Sequence, residues 1–593
     1  MSIRVDARKV VASVSPLIFG AVDNWFDRFC HPSSDHYRHM VRNVDLAGIT
    51  NFRMGGTPTE YYHWKDPEEY LETQDCIVKG KRLYGNVFPE EYKRMMRIED
   101  LASFVGDTSS MTDVIIGINF MRGTAEEAAA WVRYANVEKK LNIRYWEIGN
   151  ELGECIDRSW FPRIQLPEGY PVVSPNRSPE HYYFGGVVPQ QGENLGCSEG
   201  TPNQVFRLNF PPVEGEMRVS VDGKQWTRTS DIRDAAKENA FQYREWYTAA
   251  FYWKGEVIFG DGNHGNVPPG GALIKADYDS GPHDGLVDYI AAMKAVDPAI
   301  KILACADEMD WWHTGLTRWT RELLELDAEQ ADPRAEFDII APHYHTILPG
   351  DGAAQGLHRL DNFEGALKKL KSYMKEVYEA KRHKQDMPIF VTEWKAVSWT
   401  PPTPQQLWSI LFVVEMLGTF AKNGIHQASV THVHCYLKTD GILCYGDDSS
   451  GCPPTKPMPI FFGFQLMRRH LGQVVVESLC DDYRCLSVYA GIDREKRPAT
   501  LSVVTVNRDD TYSITETVHI AGTGAEELGG NAWTLTGDGM ETDEGIKLNG
   551  ADLSQVDPRQ ITTMPPEKVK SISGSFAYTF PPHSVTFMEF PMA

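Results

Sequence analysis

Short runs of apolar, β-branched residues alternate with longer stretches of helical periodicity up to about residue 472 of this 593-residue chain. Eight runs have the length and composition of buried strands, and they cover residues 17–22, 49–53, 113–120, 143–148, 301–305, 337–341, 388–392 and 428–435. Helical periodicity is clearest over residues 124–141, 286–296, 362–381 and 405–423. Repeated strand–helix units predict a parallel sheet, and eight of them predict closure into a (β/α)8 barrel, an α/β fold.

Two segments depart from this pattern. Residues 158–272 lie between the fourth and fifth strands and are rich in proline, glycine and aromatic residues, which predicts an inserted β-rich module with strands at 206–209, 217–221, 225–228 and 256–260. Residues 473–593 lack helical periodicity and contain short β runs, which predicts a C-terminal antiparallel β-sandwich. A strand within residues 1–14 is expected to join that sandwich. The catalytic barrel is therefore predicted to comprise residues 15–157 and 273–472.

Length, charge and cysteine content narrow the class of protein. A barrel of about 250 residues accounts for less than half of the chain, so two or three domains are expected. The net charge of −22 and the pI near 5.3 argue against a nucleic acid or an anionic membrane as partner. Neutral sugars are neither attracted nor repelled by this charge. We find neither a signal peptide nor a span of 18 apolar residues. Ten thinly spread cysteines indicate reduced thiols and a cytoplasmic protein, although a secreted chain trimmed of its signal peptide would look the same.

Two glutamates follow or end predicted barrel strands. Asn150 and Glu151 come directly after the fourth strand, and Glu393 ends the seventh. Because the carboxyl ends of barrel strands share one face, we expect the two carboxylates to meet there. Cleavage of a glycosidic bond needs such a pair, one carboxyl to protonate the leaving oxygen and one carboxylate to meet the oxocarbenium-like centre. A single glutamate of this kind would more often be a solvated loop residue, but two of them, flanked by Trp146 and Trp394, favour an active site.

This arrangement resembles the retaining (β/α)8 glycoside hydrolases, which carry Asn-Glu after the fourth strand and Glu after the seventh. With its C-terminal sandwich the chain is most similar to the α-L-arabinofuranosidase branch, and then to the β-xylosidase and β-glucuronidase relatives. Further segments that carry the resemblance are Ser15–Gly20, Asn51–Gly56, Asp338–His343, Thr392–Trp394 and residues 581–587. The resemblance implies double displacement with Glu151 as acid/base and Glu393 as nucleophile, their carboxyls about 5–5.5 Å apart, and with neither cofactor nor metal.

Other residues are expected to bind substrate. Asn150 should donate to the sugar hydroxyl next to the anomeric carbon, and Arg53 should point into the barrel and hold Glu393 ionised. His343 and His345 lie on one strand face, since alternate strand residues point the same way, and are expected to contact sugar hydroxyls. Aromatic candidates for stacking on sugar rings are Trp25, Trp146, Trp311, Trp312, Trp394 and Trp399. Asp23 is a loose match to an acidic residue expected after the first strand.

The substrate stays open between several alternatives. An exo-acting α-L-arabinofuranosidase-like enzyme is the first, but the sixth strand has His345 where an aromatic residue is expected, which leaves β-xylosidase, β-glucuronidase and endo-acting enzymes as others. A barrel that binds carbohydrate without turnover is a further alternative. The histidine pairs His343/His345 and His432/His434 could bind zinc in a metal-dependent hydrolase. The expected partner is an oligosaccharide or polysaccharide, and the insert, which follows Glu151, could restrict the cleft or form contacts between copies in a homo-oligomer.

Overall fold

The computed structural model describes most of the chain. The described residues are 2–25, 30–56, 59, 62–65, 96–120, 123–152, 179–208, 211–247, 253–309, 315–346, 353–358, 360–395, 406–435, 441–444, 454–481, 485–524, 527–572 and 574–593. Trp311, Trp312 and Trp399 lie outside these residues, as does the predicted start of the insert at residue 158.

The N-terminal part contains one long strand and the first half of the barrel. Its strands are β1 (Ser2–Ser13), β2 (Gly20–Asp23), β3 (Asn51–Met54), β4 (Asp113–Ile118) and β5 (Tyr145–Ile148). Its helices are α1 (Tyr37–Ala47), α2 (Ile98–Asp107), α3 (Ala125–Val132) and α4 (Pro179–Phe184). A π-helical turn, Arg133–Glu138, continues α3.

The inserted module is one seven-stranded sheet. Its strands are β6 (Gly185–Cys197), β7 (Val205–Arg207), β8 (Val213–Val221), β9 (Lys224–Thr229), β10 (Ala240–Tyr247), β11 (Trp253–Phe259) and β12 (Leu273–Asp284), in the spatial order β6-β12-β8-β9-β10-β11-β7. β12 lies wholly beyond the predicted end of the insert at residue 272, so the module extends to residue 284. Its last residue, Asp284, accepts a hydrogen bond from the Ala125 amide (2.8 Å) at the start of α3, so the module is tied to the barrel.

The second half of the barrel follows. Its strands are β13 (Lys301–Glu308), β14 (Ile339–His345), β15 (Phe390–Lys395) and β16 (Gln427–Val430), and a short pair, β17 (His434–Cys435) and β18 (Leu443–Cys444), comes next. The helices are α5 (Leu286–Val296), α6 (Arg318–Glu329), α7 (Ala353–His358), α8 (Leu360–Val377), α9 (Leu407–Lys422) and α10 (Pro459–His470).

The eight parallel strands form a closed barrel, which confirms the predicted fold class. β16 pairs with β2 and completes the ring, in the order β13-β14-β15-β16-β2-β3-β4-β5. All eight predicted strands are present, although several end later than predicted. Apolar side chains fill the amino end of the interior: Ile115, Tyr145, Leu303, Ile339, Ala341 and Phe390. The carboxyl end is therefore the place left for polar groups.

The C-terminal part is the predicted β-rich sandwich. Its strands are β19 (Val474–Cys480), β20 (Leu486–Asp493), β21 (Thr500–Asn507), β22 (Ile514–Ala521), β23 (Glu527–Thr536), β24 (Lys547–Leu548), β25 (Ala551–Asp552), β26 (Glu567–Ile572), β27 (Ser575–Phe580) and β28 (Ser584–Pro591). β1 lies between β22 and β19, and β28 pairs with both β21 and β23, which folds the sheet over its own core. The buried helix α9 packs between this domain and the barrel.

Among the described helices, we find none that combines the length and apolar character needed to cross a bilayer.

Candidate active site

The two predicted carboxylates come together at the carboxyl end of the barrel. Glu151 lies three residues beyond the end of β5, and its backbone φ of 51° is in the left-handed region that non-glycine residues rarely adopt. Glu393 lies within β15, opposite His343 of β14. One carboxylate oxygen of Glu151, one of Glu393 and a ring nitrogen of His345 all lie within 4.8 Å of one another.

Arg53 of β3 organises the floor of this site. Its fully buried guanidinium donates from Nε to Glu147 Oε2 (2.6 Å) and from Nη1 to Glu393 Oε2 (3.1 Å). The side chain of Thr392 donates to the other oxygen of Glu147 (2.7 Å). A Cβ atom at Gly55 would lie 2.7 Å from Cζ of Arg53, so only glycine leaves room for the guanidinium. The arginine thus ties together β3, β5 and β15, the second, fourth and seventh strands of the barrel.

The same guanidinium orients Asn150. Nη2 of Arg53 donates to Oδ1 of Asn150 at 2.8 Å. Because the oxygen of the amide is held by the arginine, its NH2 group is the half turned toward other partners, and this is the half needed to donate to a sugar hydroxyl. Asn150 is nevertheless well buried, so such a contact requires a substrate seated deep in the barrel mouth.

Glu393 is held as a carboxylate. Burial raises its pKa, but the contact with His345, whose Nε2 lies 3.4 Å from Oε1, and the positive charges around the site lower it well below its usual range. His345 contributes more to this lowering than Arg53 does, although the sequence pointed to Arg53. Only 8% of the Glu393 side chain is exposed, which leaves a narrow approach for a reacting atom.

Glu151 has a different environment. A quarter of its side chain is exposed, and Oε1 lies 3.0 Å from Nδ1 of His343. Burial and the charge of Glu393 raise the pKa of Glu151, whereas the hydrogen bond with His343 and the charges of the two histidines lower it, and the net effect is a lowering. The other ring nitrogen of His343 is buried and has no hydrogen-bond partner among the described residues.

Two glutamates at this site were not recognised in the sequence. Glu147 is the residue that Arg53 binds most closely, and Glu308 accepts hydrogen bonds from Nδ1 (2.6 Å) and the backbone amide (2.8 Å) of His345. The alternation in the fourth strand was an available signal, since Glu147 lies between outward-facing Trp146 and Ile148. Glu308 was missed because the fifth strand was predicted to end at residue 305, whereas β13 continues to residue 308.

The three predicted tryptophans that the structure describes, Trp25, Trp146 and Trp394, lie in the core instead of lining the cleft. Trp25 is buried and stacks on Tyr62, with ring centroids 4.6 Å apart and planes 12° apart. Trp146 donates to the carbonyl of Ile143 (3.2 Å) and packs edge-on against Trp131. The ring of Trp394 packs among Phe412, Phe420 and Phe464. Both tryptophans beside the glutamates therefore face the helix layer, because neighbouring strand residues point to opposite sides.

Asp23 and the second histidine pair belong to other parts of the barrel: Asp23 ends β2, and His432 and His434 follow β16. Asp23 is buried at the end of β2 and accepts from the thiol of Cys30 (3.2 Å) and from the Asn24 amide (2.8 Å). His434 belongs to the short strand β17. Among the described residues, the group with ligand atoms close enough to hold a metal is the Glu151, His345 and Glu393 trio. Among the described residues, His343, His345, His432 and His434 therefore do not form one metal site.

Comparisons with known proteins bear on the fold. No family model and no curated protein matches the chain. Among solved structures, the α-L-arabinofuranosidase of Thermotoga maritima is similar with a TM-score of 0.59 at 15% identity, and the alignment covers 100% of both chains. The family 51 α-L-arabinofuranosidase of Bifidobacterium longum has a TM-score of 0.58 at 14% identity and 99% coverage of both. The family 44 endoglucanase of Clostridium thermocellum has 0.52 at 13%, also with 99% of both. The chain therefore shares its overall fold, a (β/α)8 barrel with additional β domains, with these three enzymes.

Proposed function

We propose that this protein is a retaining glycoside hydrolase. The observation that carries the proposal is the approach of the two carboxylates: oxygens of Glu151 and Glu393 lie within 4.8 Å. Retaining enzymes hold their two carboxyls about 5–5.5 Å apart, whereas inverting enzymes need about 6.5–9.5 Å to admit a water molecule. The spacing here supports direct attack by one of the two glutamates.

The reaction proceeds in two displacements. In the first, an oxygen of Glu393 bonds to the anomeric carbon as the glycosidic C–O bond breaks, and Glu151 transfers its proton to the departing sugar oxygen. In the second, Glu151 takes a proton from water, the water oxygen bonds to the anomeric carbon, and the bond to Glu393 breaks with its electron pair returning to the carboxylate. Water is the only co-reactant.

The ionised state of Glu393 and the exposure of Glu151 support this division of roles. Glu393 is held ionised by positively charged neighbours, as a nucleophile requires. Glu151 is more exposed and can reach a leaving group outside the barrel. Formation of the glycosyl ester removes the charge of Glu393, and the pKa of Glu151 then falls, which suits its change from acid to base.

For the substrate we propose a terminal α-L-arabinofuranoside on an oligosaccharide or polysaccharide. Support comes from the sequence resemblance and from the solved α-L-arabinofuranosidases whose fold this chain shares. The family 44 endoglucanase shares the fold too, so cleavage within a β-glucan is the second candidate. β-Xylosides and β-glucuronides complete the set to be tested.

The test is hydrolysis of a panel of aryl glycosides by the purified protein. The panel contains α-L-arabinofuranoside, β-D-xyloside, β-D-glucuronide, β-D-galactoside and β-D-glucoside, and Glu393→Ala and Glu151→Ala serve as controls. We expect release from one glycoside, loss of activity in both variants, and a first-formed sugar with the anomeric configuration of the substrate by NMR. Activity that survives Glu393→Ala would exclude it as nucleophile, and an inverted product would exclude double displacement. Activity on soluble glucans alone would favour the endo-acting alternative.

A further inference from the structure

A chain of three side chains links neighbouring barrel strands behind the proposed nucleophile. Glu308 of β13 accepts from Nδ1 of His345 in β14 at 2.6 Å. On the other side of the imidazole, Nε2 lies 3.4 Å from Oε1 of Glu393 in β15. Glu308 and His345 are both buried. Glu308 has no role in the double displacement proposed for Glu151 and Glu393.

The backbone of β13 is shaped to bring Glu308 into this position. The pairing of β13 with β14 slips between Cys305 and Glu308, which places Glu308 opposite His343. Such irregularities change the direction in which side chains point, and they are frequent beside active sites. The second carboxylate oxygen of Glu308 accepts from the backbone amide of His345 (2.8 Å), so the imidazole and its own strand are held by one carboxylate.

This arrangement dictates the protonation of His345. Each ring nitrogen faces a carboxylate oxygen, and a nitrogen lone pair directed at such an oxygen would be repelled. Both nitrogens must therefore carry hydrogen when Glu308 and Glu393 are ionised, which makes the ring an imidazolium. Burial would lower the pKa of His345, but the charges and hydrogen bonds of Glu308 and Glu393 raise it to about 10.

We propose that Glu308 is a positioning residue that keeps His345 as an imidazolium directed at Oε1 of Glu393. The inference rests on the proposed function. In the first displacement the charged ring keeps Glu393 ionised. In the second it stabilises the negative charge that returns to Oε1 as the glycosyl ester breaks. Arg53 holds the other oxygen, Oε2, so each oxygen of the nucleophile has its own cationic donor.

Other charges around the ring do not remove the need for Glu308. The groups that face His345 or Glu393 from the surrounding strands are Arg53, Glu147, Glu151, His343, Glu308 and Glu393. Arg53 is already shared between Glu147 and Glu393. Glu151 lies on the solvent side and is protonated during the first step, so its charge is not constant. Glu308 is the buried carboxylate that can hold the imidazolium charged throughout the cycle.

The test uses Glu308→Gln in the full chain, with Glu415→Gln as matched control. Glu415 is also a buried glutamate bonded to a cationic side chain, but it lies between the barrel and the sandwich. NMR of ring-labelled histidine reports the charge of His345, assigned by comparison with His345→Gln. At pH 8 we expect an imidazolium in wild type and in Glu415→Gln, and a neutral ring in Glu308→Gln. A neutral ring in wild type would overturn the inference, because Glu308 would then not keep His345 charged.

Kinetics give a second readout on whichever glycoside is hydrolysed. We expect Glu308→Gln to lower kcat by at least about tenfold, as loss of a carboxylate that orients an active-site histidine does elsewhere. The acidic limb of its pH profile should move to higher pH. With a good leaving group KM should fall as well, because the glycosyl-enzyme accumulates when the second step is slowed. An unchanged kcat and pH profile would overturn the positioning role. Since the NMR result needs no turnover, absence of hydrolysis by wild type would count against the proposed function alone.

Discussion

Two buried arginines organise two clusters of charge in this molecule, and their surroundings differ. Arg508 lies between the barrel and the sandwich and donates from Nε and Nη2 to the two oxygens of Glu415 (3.0 and 3.1 Å). The hydroxyl of Tyr489 donates to the same carboxylate (2.7 Å). Nη1 of Arg508 also donates to Asp361 (3.1 Å), whose side chain is 60% exposed. Arg53 in the barrel instead shares its donors between two buried carboxylates and an amide.

The difference lies in the balance of charge. At the domain interface one buried carboxylate, Glu415, meets the guanidinium in a two-point contact, and the second carboxylate, Asp361, is exposed to solvent, so no excess charge is buried. At the barrel mouth four glutamates (Glu147, Glu151, Glu308 and Glu393) surround one arginine and two histidines, so the cluster is balanced only if protons are gained. A buried cluster that must bind protons to be neutral is suited to acid/base chemistry, whereas a matched pair is suited to holding two domains together.

The largest expected effect separates the two clusters by activity. Glu393→Gln should reduce kcat by about 10³-fold or more, because covalent catalysis needs the carboxylate. Glu415→Gln removes the charge of an equally buried glutamate and should leave kcat within about twofold. Both are measured on the glycoside identified from the panel. A comparable loss of kcat in Glu415→Gln would mean that the sandwich controls the site.

Removal of each arginine should separate stability from activity. Arg53→Ala and Arg508→Ala both leave a buried carboxylate without its cation, which costs about 3–5 kcal/mol in the free energy of unfolding. Only Arg53→Ala should also abolish turnover, since Glu393 and Asn150 lose their partner. Denaturant unfolding and initial rates test this. If Arg508→Ala has the same midpoint of denaturant unfolding as wild type, the pair of Arg508 and Glu415 adds nothing to the free energy of unfolding.

The pH dependence of stability should differ between the clusters, because histidine titrates and arginine does not. The pKa of His345 in the folded protein, about 10, is above the value near 6.5 of an unfolded chain. The charged ring therefore stabilises the fold fully below about pH 6.5, and this contribution is lost as the pH rises toward 10. We expect the free energy of unfolding of wild type to fall more steeply from pH 6.5 to 9.5 than that of His345→Gln. Equal slopes would contradict a charged His345.

The smallest effects concern single hydroxyl groups. Tyr489→Phe removes a hydrogen bond to Glu415, and Thr392→Val removes one to Glu147. Each should lower the free energy of unfolding by about 1 kcal/mol. Thr392→Val should in addition lower kcat by a few-fold, because Glu147 positions Arg53, whereas Tyr489→Phe should not. Equal kcat values for the two variants would show that Glu147 is held without Thr392.

The sequence pattern of apolar strands identified some of the site residues and not others. Glu151 and Glu393 were identified because each follows or ends an apolar strand, and strand ends of a barrel share a face. The tryptophans beside them were expected to stack on sugars, but they pack against helices, since a residue and its neighbour in a strand face opposite sides. The same alternation places Glu147 inside the barrel. Glu308 depends on an irregularity in β13, which no periodicity reveals.

The domain organisation was also predicted in part from the sequence. The eight barrel strands, the helix α5 and the β-rich C-terminal part appear as strong local patterns. The first, fifth and last strands of the insert, β6, β10 and β12, were not recognised, because an antiparallel sheet rich in glycine and polar residues gives only weak alternation.

The sequence by itself determined the barrel, its two additional β regions and the pair of glutamates, because apolar periodicity and residue order are local properties of the chain. The tertiary structure alone decided which groups face those glutamates: the guanidinium of Arg53 shared between Glu147 and Glu393, and the imidazole of His345 between Glu308 and Glu393. These contacts join residues from five strands far apart in the chain. Their charges influence one another only because barrel closure brings them within a few ångströms in a site that little water enters.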